Sequence, residues 1–165
     1  MAKIKSFEKY YEDYDKWFDD HPLVYESELE AVRHFIDPSK RVVEIGMGSG
    51  RFAEPLGIKE GVEPSYEMRR LSHEKGLAAE FGIAEQLPLS DASYDQALMV
   101  TTICFVDDPD KALQEIYRVL KINGEIVIGF VDKDSQVGQM YQENKEKSRF
   151  YNQAVFFSAD EIGDM

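Results

Sequence analysis

Hydrophobic residues near the start of the chain recur at helical spacing. Four of them are aromatic, and their intervals of three and four residues place them on one face of a helix: Tyr10, Tyr14, Trp17 and Phe18. Pro22 then begins a second helical pattern, which runs to Ile36 and ends ahead of the Asp37–Pro38 pair. The pattern predicts two N-terminal helices, which form a helical cap over residues 1–40.

From residue 41 onward, short runs of β-branched and apolar residues alternate with helical stretches. The predicted strands are residues 41–46, 59–63, 78–82, 94–100 and 125–131. Because strands joined by crossover helices lie parallel, with helices on both faces, this order predicts a doubly wound α/β domain with a mainly parallel sheet. We interpret 1–165 as a single domain, with 41–132 as its core and 133–165 as a polar helix or loop followed by a helix that is cut short.

Capping signals mark the ends of two predicted helices. Asp108 precedes Pro109 at the first position of one helix, and the Asn123–Gly124 pair follows that helix as its stop. Ser158 and Glu161 have the spacing of a capping box, so a second helix begins there. These signals predict two helix starts and one helix end.

The composition excludes several classes of protein. The chain has 165 residues, a net charge of −13 and one cysteine, Cys104. A single cysteine rules out a disulfide framework and any multi-cysteine metal site, and it suits the reducing cytoplasm. The acidic balance disfavours nucleic acid and anionic membrane surfaces, and no apolar stretch approaches the roughly 20 residues of a membrane helix. We therefore expect a cytoplasmic protein that binds a small molecule.

Three glycines follow the first predicted strand at alternate positions. Gly46, Gly48 and Gly50 permit positive φ angles, and they let backbone amides approach a ligand without a Cβ in the way. In an open parallel sheet such a loop lies at the carboxyl ends of the strands, where ligands bind. The alternative is a plain tight turn, which needs one glycine and not three.

Two acidic residues flank this loop and bear on the choice of ligand. The spacing is G-x-G-x-G, one residue shorter than the G-x-G-x-x-G that binds a pyrophosphate, and Glu44 lies just before it. Glu63 ends the second predicted strand, where a carboxylate can accept hydrogen bonds from ribose hydroxyls. The pair favours a positively charged nucleoside over a phosphorylated one. An NAD-dependent Rossmann oxidoreductase stays open as a less favoured alternative.

Four segments resemble a known family in the right order and at the right intervals. They are VVEIGMGSGRF at 42–52, GVEPSYEM at 61–68, GIAEQLPLSDASYDQALMV at 82–100 and DPDKALQEIYRVLKINGEIVIGFVD at 108–132. Together they look like the class I S-adenosylmethionine-dependent methyltransferases, in the type 11 branch that resembles the quinone-biosynthesis C-methyltransferases. The resemblance implies a Rossmann-like methyltransferase fold and S-adenosyl-L-methionine as cofactor.

The resemblance also implies a set of cofactor-binding residues. They are Glu44, Ile45, Gly46, Met47, Gly48, Ser49, Gly50, Glu63, Pro64, Ile83, Ala84, Glu85 and Thr101. In the family, Glu44 and the loop backbone hold the methionine end and Glu63 holds the ribose. Pro64 and residues 83–85 border the adenine, while Thr101 sits near the methionine moiety and faces the methyl acceptor.

The chain departs from the family pattern in three places. Ile83 stands where an acidic residue often bonds the adenine amino group, and Met47 stands where a cysteine is common. The family sheet has two further strands, an antiparallel hairpin beside the fifth, which this chain lacks. An open fifth strand invites pairing with another chain, so we expect either a homodimer through that edge or a longer protein.

Methyl transfer needs little from the protein beyond alignment of the acceptor, because the cofactor brings an activated methyl group. No general base is required, and the sequence offers none beside a nucleophile. The aromatic face either packs the first helix or covers the site and contacts a substrate, in which case the contacts are Tyr14, Trp17 and Phe18. A further alternative is a methyltransferase-like binding or scaffold subunit without catalysis.

Overall fold

The structure, a computed structural model, describes residues 3–165. Three helices precede the sheet: α1 (Lys5–Lys9), α2 (Tyr11–Asp20) and α3 (Pro22–Arg33). The strands are β1 (Val42–Ile45), β2 (Glu60–Val62), β3 (Ala78–Glu80), β4 (Tyr94–Val100) and β5 (Leu120–Gly129). The remaining helices are α4 (Ala53–Leu56), α5 (Tyr66–Glu74), α6 (Pro109–Val119), α7 (Gln136–Glu143) and α8 (Ala159–Asp164).

The five strands form one parallel sheet in the order β3-β2-β1-β4-β5. The strand order reverses between β1 and β4, which pair with Val43 opposite Ala97. The loops that follow β1 and β4 therefore leave the sheet side by side, at the place where open α/β sheets bind ligands. The prediction of a doubly wound parallel sheet is confirmed, and β5 lies at its edge.

Residues of β1 alternate between two hydrophobic cores. Val43 and Ile45 pack with α6 on one face, whereas Val42 packs with α2 and α3 on the other. All four residues of the strand are buried. This double burial explains why the strand is a continuous apolar run interrupted only by Glu44.

The sequence predicts two N-terminal helices, but the structure has three among the residues that it describes. Tyr10 leaves the helical region (φ −123°, ψ 33°), so α1 and α2 are separate helices. Its ring lies beneath the Arg149 guanidinium, at 4.4 Å from the ring centroid, and meets Phe150 edge-on. Contact with a distant segment therefore overrides the continuous helical pattern.

The predicted stop at Asn123–Gly124 is also wrong. Helix α6 ends at Val119, and Leu120 already pairs with Tyr94 as the first residue of β5. Asn123 has φ 64° and lies inside an irregularity of that strand. The pair marks a turn within the strand because backbone pairing with β4 competes with the last turn of the helix.

The predicted helix starts are confirmed. The Asp108 side chain accepts a hydrogen bond from the Lys111 amide, and Ser158 and Glu161 form a complete capping box. Among residues 3–165, no helix is both long enough and apolar enough to cross a bilayer.

Candidate functional site

Two adjoining cavities open at the carboxyl ends of β1, β2 and β4. The first has a volume of about 90 Å³ and the second about 140 Å³. The residues that line both are Tyr14, Gly46, Gly48, Val100 and Thr101. The first cavity extends towards β2 and residues 82–85, whereas the second extends towards α3 and residues 150–151. Together they form a divided cleft beside the β1–β4 switch point.

The glycine loop has positive φ angles at all three glycines: 74° at Gly46, 57° at Gly48 and 82° at Gly50. A Cβ on Gly46 would lie 2.3 Å from the Thr102 hydroxyl oxygen, and one on Gly50 would lie 2.3 Å from a methyl carbon of Leu77. A Cβ on Gly48 would meet nothing within 4 Å. Gly46 and Gly50 are thus required by close packing, and Gly48 presents bare backbone to the cleft.

The carboxylate of Glu63 is bonded directly to this loop. One of its oxygens accepts a hydrogen bond from the Gly48 amide at 2.9 Å, and the other accepts one from the Ser65 amide at 2.8 Å. The side chain lines the first cavity. Burial raises the pKa of Glu63 to about 7, although both backbone hydrogen bonds oppose that rise. The loop and the acid at the end of β2 are therefore neighbours, and their role in binding the cofactor stays a prediction.

Glu44 lies at the base of the second cavity and is 2% exposed. Its Oε2 atom is buried and has no hydrogen-bond partner among the described residues. Burial raises the pKa of Glu44 well above its usual range, against a weaker opposing hydrogen bond from the Ala53 backbone. A buried acceptor without a donor is costly, so this atom fits a site for a hydrogen-bonding or cationic ligand group.

The predicted adenine-side residues line the first cavity: Pro64, Ile83, Ala84 and Glu85. Ile83 presents an apolar side chain there, as the sequence indicates. The Glu85 carboxylate makes structural contacts: it accepts hydrogen bonds from the amides of Asp107 (2.6 Å) and Asp108 (3.2 Å). It thereby ties the wall of the first cavity to the start of α6.

Thr101 lies where the two cavities meet. Its φ of 50° is an uncommon value for a β-branched residue, and its amide donates a 2.7 Å hydrogen bond to the Gly129 carbonyl. Such backbone strain costs roughly 1–3 kcal/mol and is concentrated at functional sites. The strain and the position agree with the predicted role of Thr101 near the transferred group, which stays a prediction.

The other predicted loop residues differ in which cavity they line. Ile45 lines the first cavity, while Met47 and Ser49 line the second. Gly50 lines neither cavity. Its positive φ and its contact with Leu77 instead shape the loop from outside the cleft.

A salt-bridge cluster that the sequence analysis missed joins α2 to the glycine loop. The Arg51 guanidinium forms two bonds to the Asp15 carboxylate, at 2.8 and 2.7 Å, and a third at 2.8 Å to Asp19. The Ser49 hydroxyl also donates to Asp15. Burial pushes the pKa of Asp15 upwards, but the bonds from Arg51 and Ser49 outweigh it and hold that pKa below its usual value. The spacing of Asp15 and Asp19, one helical turn apart, was the available signal.

The three residues that the sequence predicts for a substrate line the second cavity: Tyr14, Trp17 and Phe18. Among the lining residues that sequence reasoning missed are Glu28, Tyr141, Phe150 and Tyr151. Tyr14 meets the Phe150 ring edge-on at 5.4 Å. The cover of the cleft is thus built from both ends of the described chain.

Two other reactive side chains, Asp132 and Cys104, line neither cavity. Asp132 accepts a hydrogen bond from the Asp134 amide. Burial raises the pKa of the Cys104 thiol to about 12, which makes it a poor nucleophile. Within residues 3–165, no group of three or more His, Cys, Asp or Glu side chains could hold a metal ion.

Comparison with known proteins agrees with this geometry. The profile of a family described as a methyltransferase domain matches residues 43–128. An uncharacterized protein of Methanocaldococcus jannaschii is 45% identical over 159 residues, which are 96% of this chain and 77% of that protein. The ubiquinone/menaquinone biosynthesis C-methyltransferase UbiE of Rubrivivax gelatinosus is 35% identical over 95 residues, covering 53% of this chain and 38% of that enzyme.

A crystal structure from Thermotoga maritima superposes with a TM-score of 0.95 and 51% sequence identity, covering 98% of this chain and 77% of that one. It is described as a SAM-dependent methyltransferase and "possible histamine N-methyltransferase". The chain thus spans about three quarters of the length of two of these relatives.

Proposed function

This chain belongs to the S-adenosyl-L-methionine-dependent methyltransferases, and we propose that it methylates a small molecule by in-line transfer. In this proposal the first cavity holds the nucleoside of the cofactor, and the second holds its methionine end beside Glu44 together with the methyl acceptor. The observation that carries the proposal is the pair of buried carboxylates, Glu44 and Glu63, on either side of the glycine loop.

The two carboxylates suit two parts of the cofactor. Glu63 has its oxygens oriented by two backbone amides and lines the first cavity, so its free lone pairs can accept hydrogen bonds from ribose hydroxyls. The unpartnered Oε2 of Glu44 can accept from the cationic methionine end. A phosphorylated nucleotide would instead bring negative charge towards both acids.

S-adenosyl-L-methionine supplies a methyl group on a positively charged sulfur, and the transfer we propose is an in-line displacement at that methyl group. The chain has to align the acceptor, and alignment can contribute on the order of 7–11 kcal/mol. Thr101 lies at the junction of the cavities and is the side chain best placed to border the transfer. Tyr14 lines both cavities and meets the Phe150 ring edge-on, so these rings can shield the junction from water when the cleft is occupied.

Calorimetric titration of the chain with S-adenosylhomocysteine, and fluorescence titration with NADH, test this proposal. We expect S-adenosylhomocysteine to bind and NADH not to bind, because the two acids repel a diphosphate. Binding of NADH with equal affinity would overturn the assignment. Release of labelled methyl groups from the cofactor onto small-molecule acceptors then separates an enzyme from a scaffold subunit that only binds.

The cytoplasm is the location we propose, since a chain with a single cysteine suits a reducing compartment. The net charge of −13 disfavours nucleic acid as the acceptor, because a phosphate backbone would be repelled. A small molecule without phosphate groups that enters the second cavity would not be repelled in this way.

A further inference from the structure

The second cavity contains polar groups that the proposed cofactor contacts leave unused. They are the carboxylate of Glu28 and the hydroxyls of Tyr14, Tyr141 and Tyr151. Within the part of the chain that the structure describes, none of these four groups has a hydrogen bond or an ion pair. These four groups border one cavity and have no hydrogen-bond partner among the described residues, so they are available to a polar ligand.

Glu28 and the three tyrosines line the same cavity. Burial is the main cause of the raised pKa values of Tyr14, Tyr141 and Tyr151, and the Glu28 charge adds to each of them. Glu28 is an exposed residue of α3, and partial removal of water from its carboxyl group raises the pKa of that group. A charge from α3 and hydroxyls from α2 and the C-terminal segment thus converge on one space.

Other charged groups of the cavity are already paired. The Arg51 guanidinium is bonded to Asp15 and Asp19, and the Asp13 carboxylate is bonded to Arg149. Glu44 and Glu28 are left as the unpaired charges among the described lining residues. Since Glu44 serves the cofactor in the proposed function, Glu28 is available to the acceptor.

The rest of the wall is aromatic. Trp17, Phe18 and Phe150 line the same cavity, together with the rings of the tyrosines. Aromatic faces attract cations, and a carboxylate among them adds a charge-assisted hydrogen bond. An anionic acceptor would meet two unpaired carboxylates and be repelled.

We propose that the methyl acceptor is a small molecule carrying a protonated amine, and that Glu28 binds its ammonium group inside the aromatic wall of the second cavity. This inference rests on the proposed function. The ammonium nitrogen has no lone pair while it is bound, so a different atom of the acceptor reaches Thr101 and receives the methyl group. Glu28 is therefore a substrate-binding residue that decides which acceptors are selected.

The test compares Glu28→Gln with Glu26→Gln, a matched change on the same helix that lies outside the second cavity. Each protein is saturated with S-adenosylhomocysteine and titrated with tyramine and histamine. Two analogues of tyramine serve as its counterparts in the comparison: 4-ethylphenol, which lacks the amine and is neutral, and 4-hydroxyphenylacetate, which carries a carboxylate instead. We expect the unaltered chain and Glu26→Gln to bind an amine at least tenfold more tightly than either counterpart.

In Glu28→Gln, we expect this preference to fall at least tenfold, with the affinity for S-adenosylhomocysteine unchanged. Equal binding of amines and their counterparts by the unaltered chain, or a preference that survives in Glu28→Gln, would overturn the inference. Loss of S-adenosylhomocysteine binding in the unaltered chain would instead overturn the proposed function. The two failures are therefore distinguishable.

Discussion

The two ends of the parallel sheet use acidic residues in opposite ways. At the amino ends of the strands, each carboxylate has a cationic partner: Glu60 with Arg41 at 2.6 Å, Asp95 with Lys121 at 2.9 Å and Glu125 with Lys40 at 2.8 Å. The hydrogen bond from Arg41 lowers the pKa of Glu60, and hydrogen bonds lower the pKa of the other two carboxyls as well. These acids are exposed or half-exposed and stay charged.

Near the carboxyl ends of β1 and β2, Glu44 and Glu63 are buried and have no cationic partner among the described residues. Burial raises the pKa of both Glu44 and Glu63. Exposed ion pairs contribute about 0–1 kcal/mol, whereas a buried unpaired carboxylate opposes folding. The acids that oppose folding therefore lie at the end of the sheet where we propose that the cofactor binds, and a ligand there would satisfy them.

The largest expected effect is the pH dependence that Glu63 imposes on stability. Its folded pKa of about 7 exceeds the ordinary value of 4.5, so the folded state binds the proton more tightly. The protonated Glu63 therefore stabilises the folded state fully below pH 4.5, and this stabilisation is lost as the pH rises to 7. The free energy of unfolding should fall by about 3 kcal/mol over that range. Denaturant unfolding of the unaltered chain and of Glu63→Gln between pH 5 and 8 measures it.

Glu63→Gln is expected to remove this part of the slope, so that its advantage in stability over the unaltered chain grows as the pH rises. The affinity of the unaltered chain for S-adenosylhomocysteine should change in the opposite sense and increase towards pH 8, since only the carboxylate accepts two ribose hydroxyls. If the free energy of unfolding depended on pH identically in both proteins, Glu63 would not be a buried acid that opposes folding, and the contrast between the two ends of the sheet would rest on Glu44 alone.

Glu44→Gln should be the next largest change. Loss of a charge-assisted hydrogen bond costs about 1.5–3 kcal/mol, so we expect binding of S-adenosylhomocysteine to weaken roughly ten- to a hundredfold. The same substitution should raise the melting temperature, because it removes a buried unpaired acid. Calorimetry and thermal unfolding measure the two effects, and an unchanged affinity would contradict the ligand role of Glu44.

Asp15→Asn tests whether the α2 contact supports the glycine loop. Asp15 and Arg51 are largely buried (side chains 23% and 19% exposed), so we expect a loss of about 1–3 kcal/mol in stability and a several-fold weaker affinity for S-adenosylhomocysteine. Asp19→Asn is the matched control, because its side chain is 64% exposed and a smaller effect is expected. Equal effects in both variants would show that burial of the pair is unimportant.

Glu60→Gln should give the smallest effect. Its ion pair with Arg41 is half-exposed, and we expect a loss of about 0–1 kcal/mol with cofactor affinity unchanged. Chemical denaturation and calorimetry measure both quantities. A cofactor affinity that fell as far as in Glu44→Gln would abolish the difference between the two ends of the sheet.

Much of the fold and part of the site could be predicted from local pattern. Strand positions follow from short apolar runs, and the contact between Gly48 and Glu63 follows from their places after adjacent parallel strands. The break at Tyr10 and the end of α6 at Val119 could not be predicted in this way. Both depend on contacts with residues far away in sequence, which periodicity does not report.

The residues alone establish the order of strands and helices, the glycine loop and the acid that faces it, because side-chain period and strand direction are local properties. Only folding in three dimensions determines that Glu44 has an oxygen without a partner, that Arg51 joins α2 to the loop, and that Glu28 and Tyr151 line one cavity. Those relations join segments that are distant in sequence. Their physical basis is burial and pairing of charge, which depend on the packing of the whole molecule.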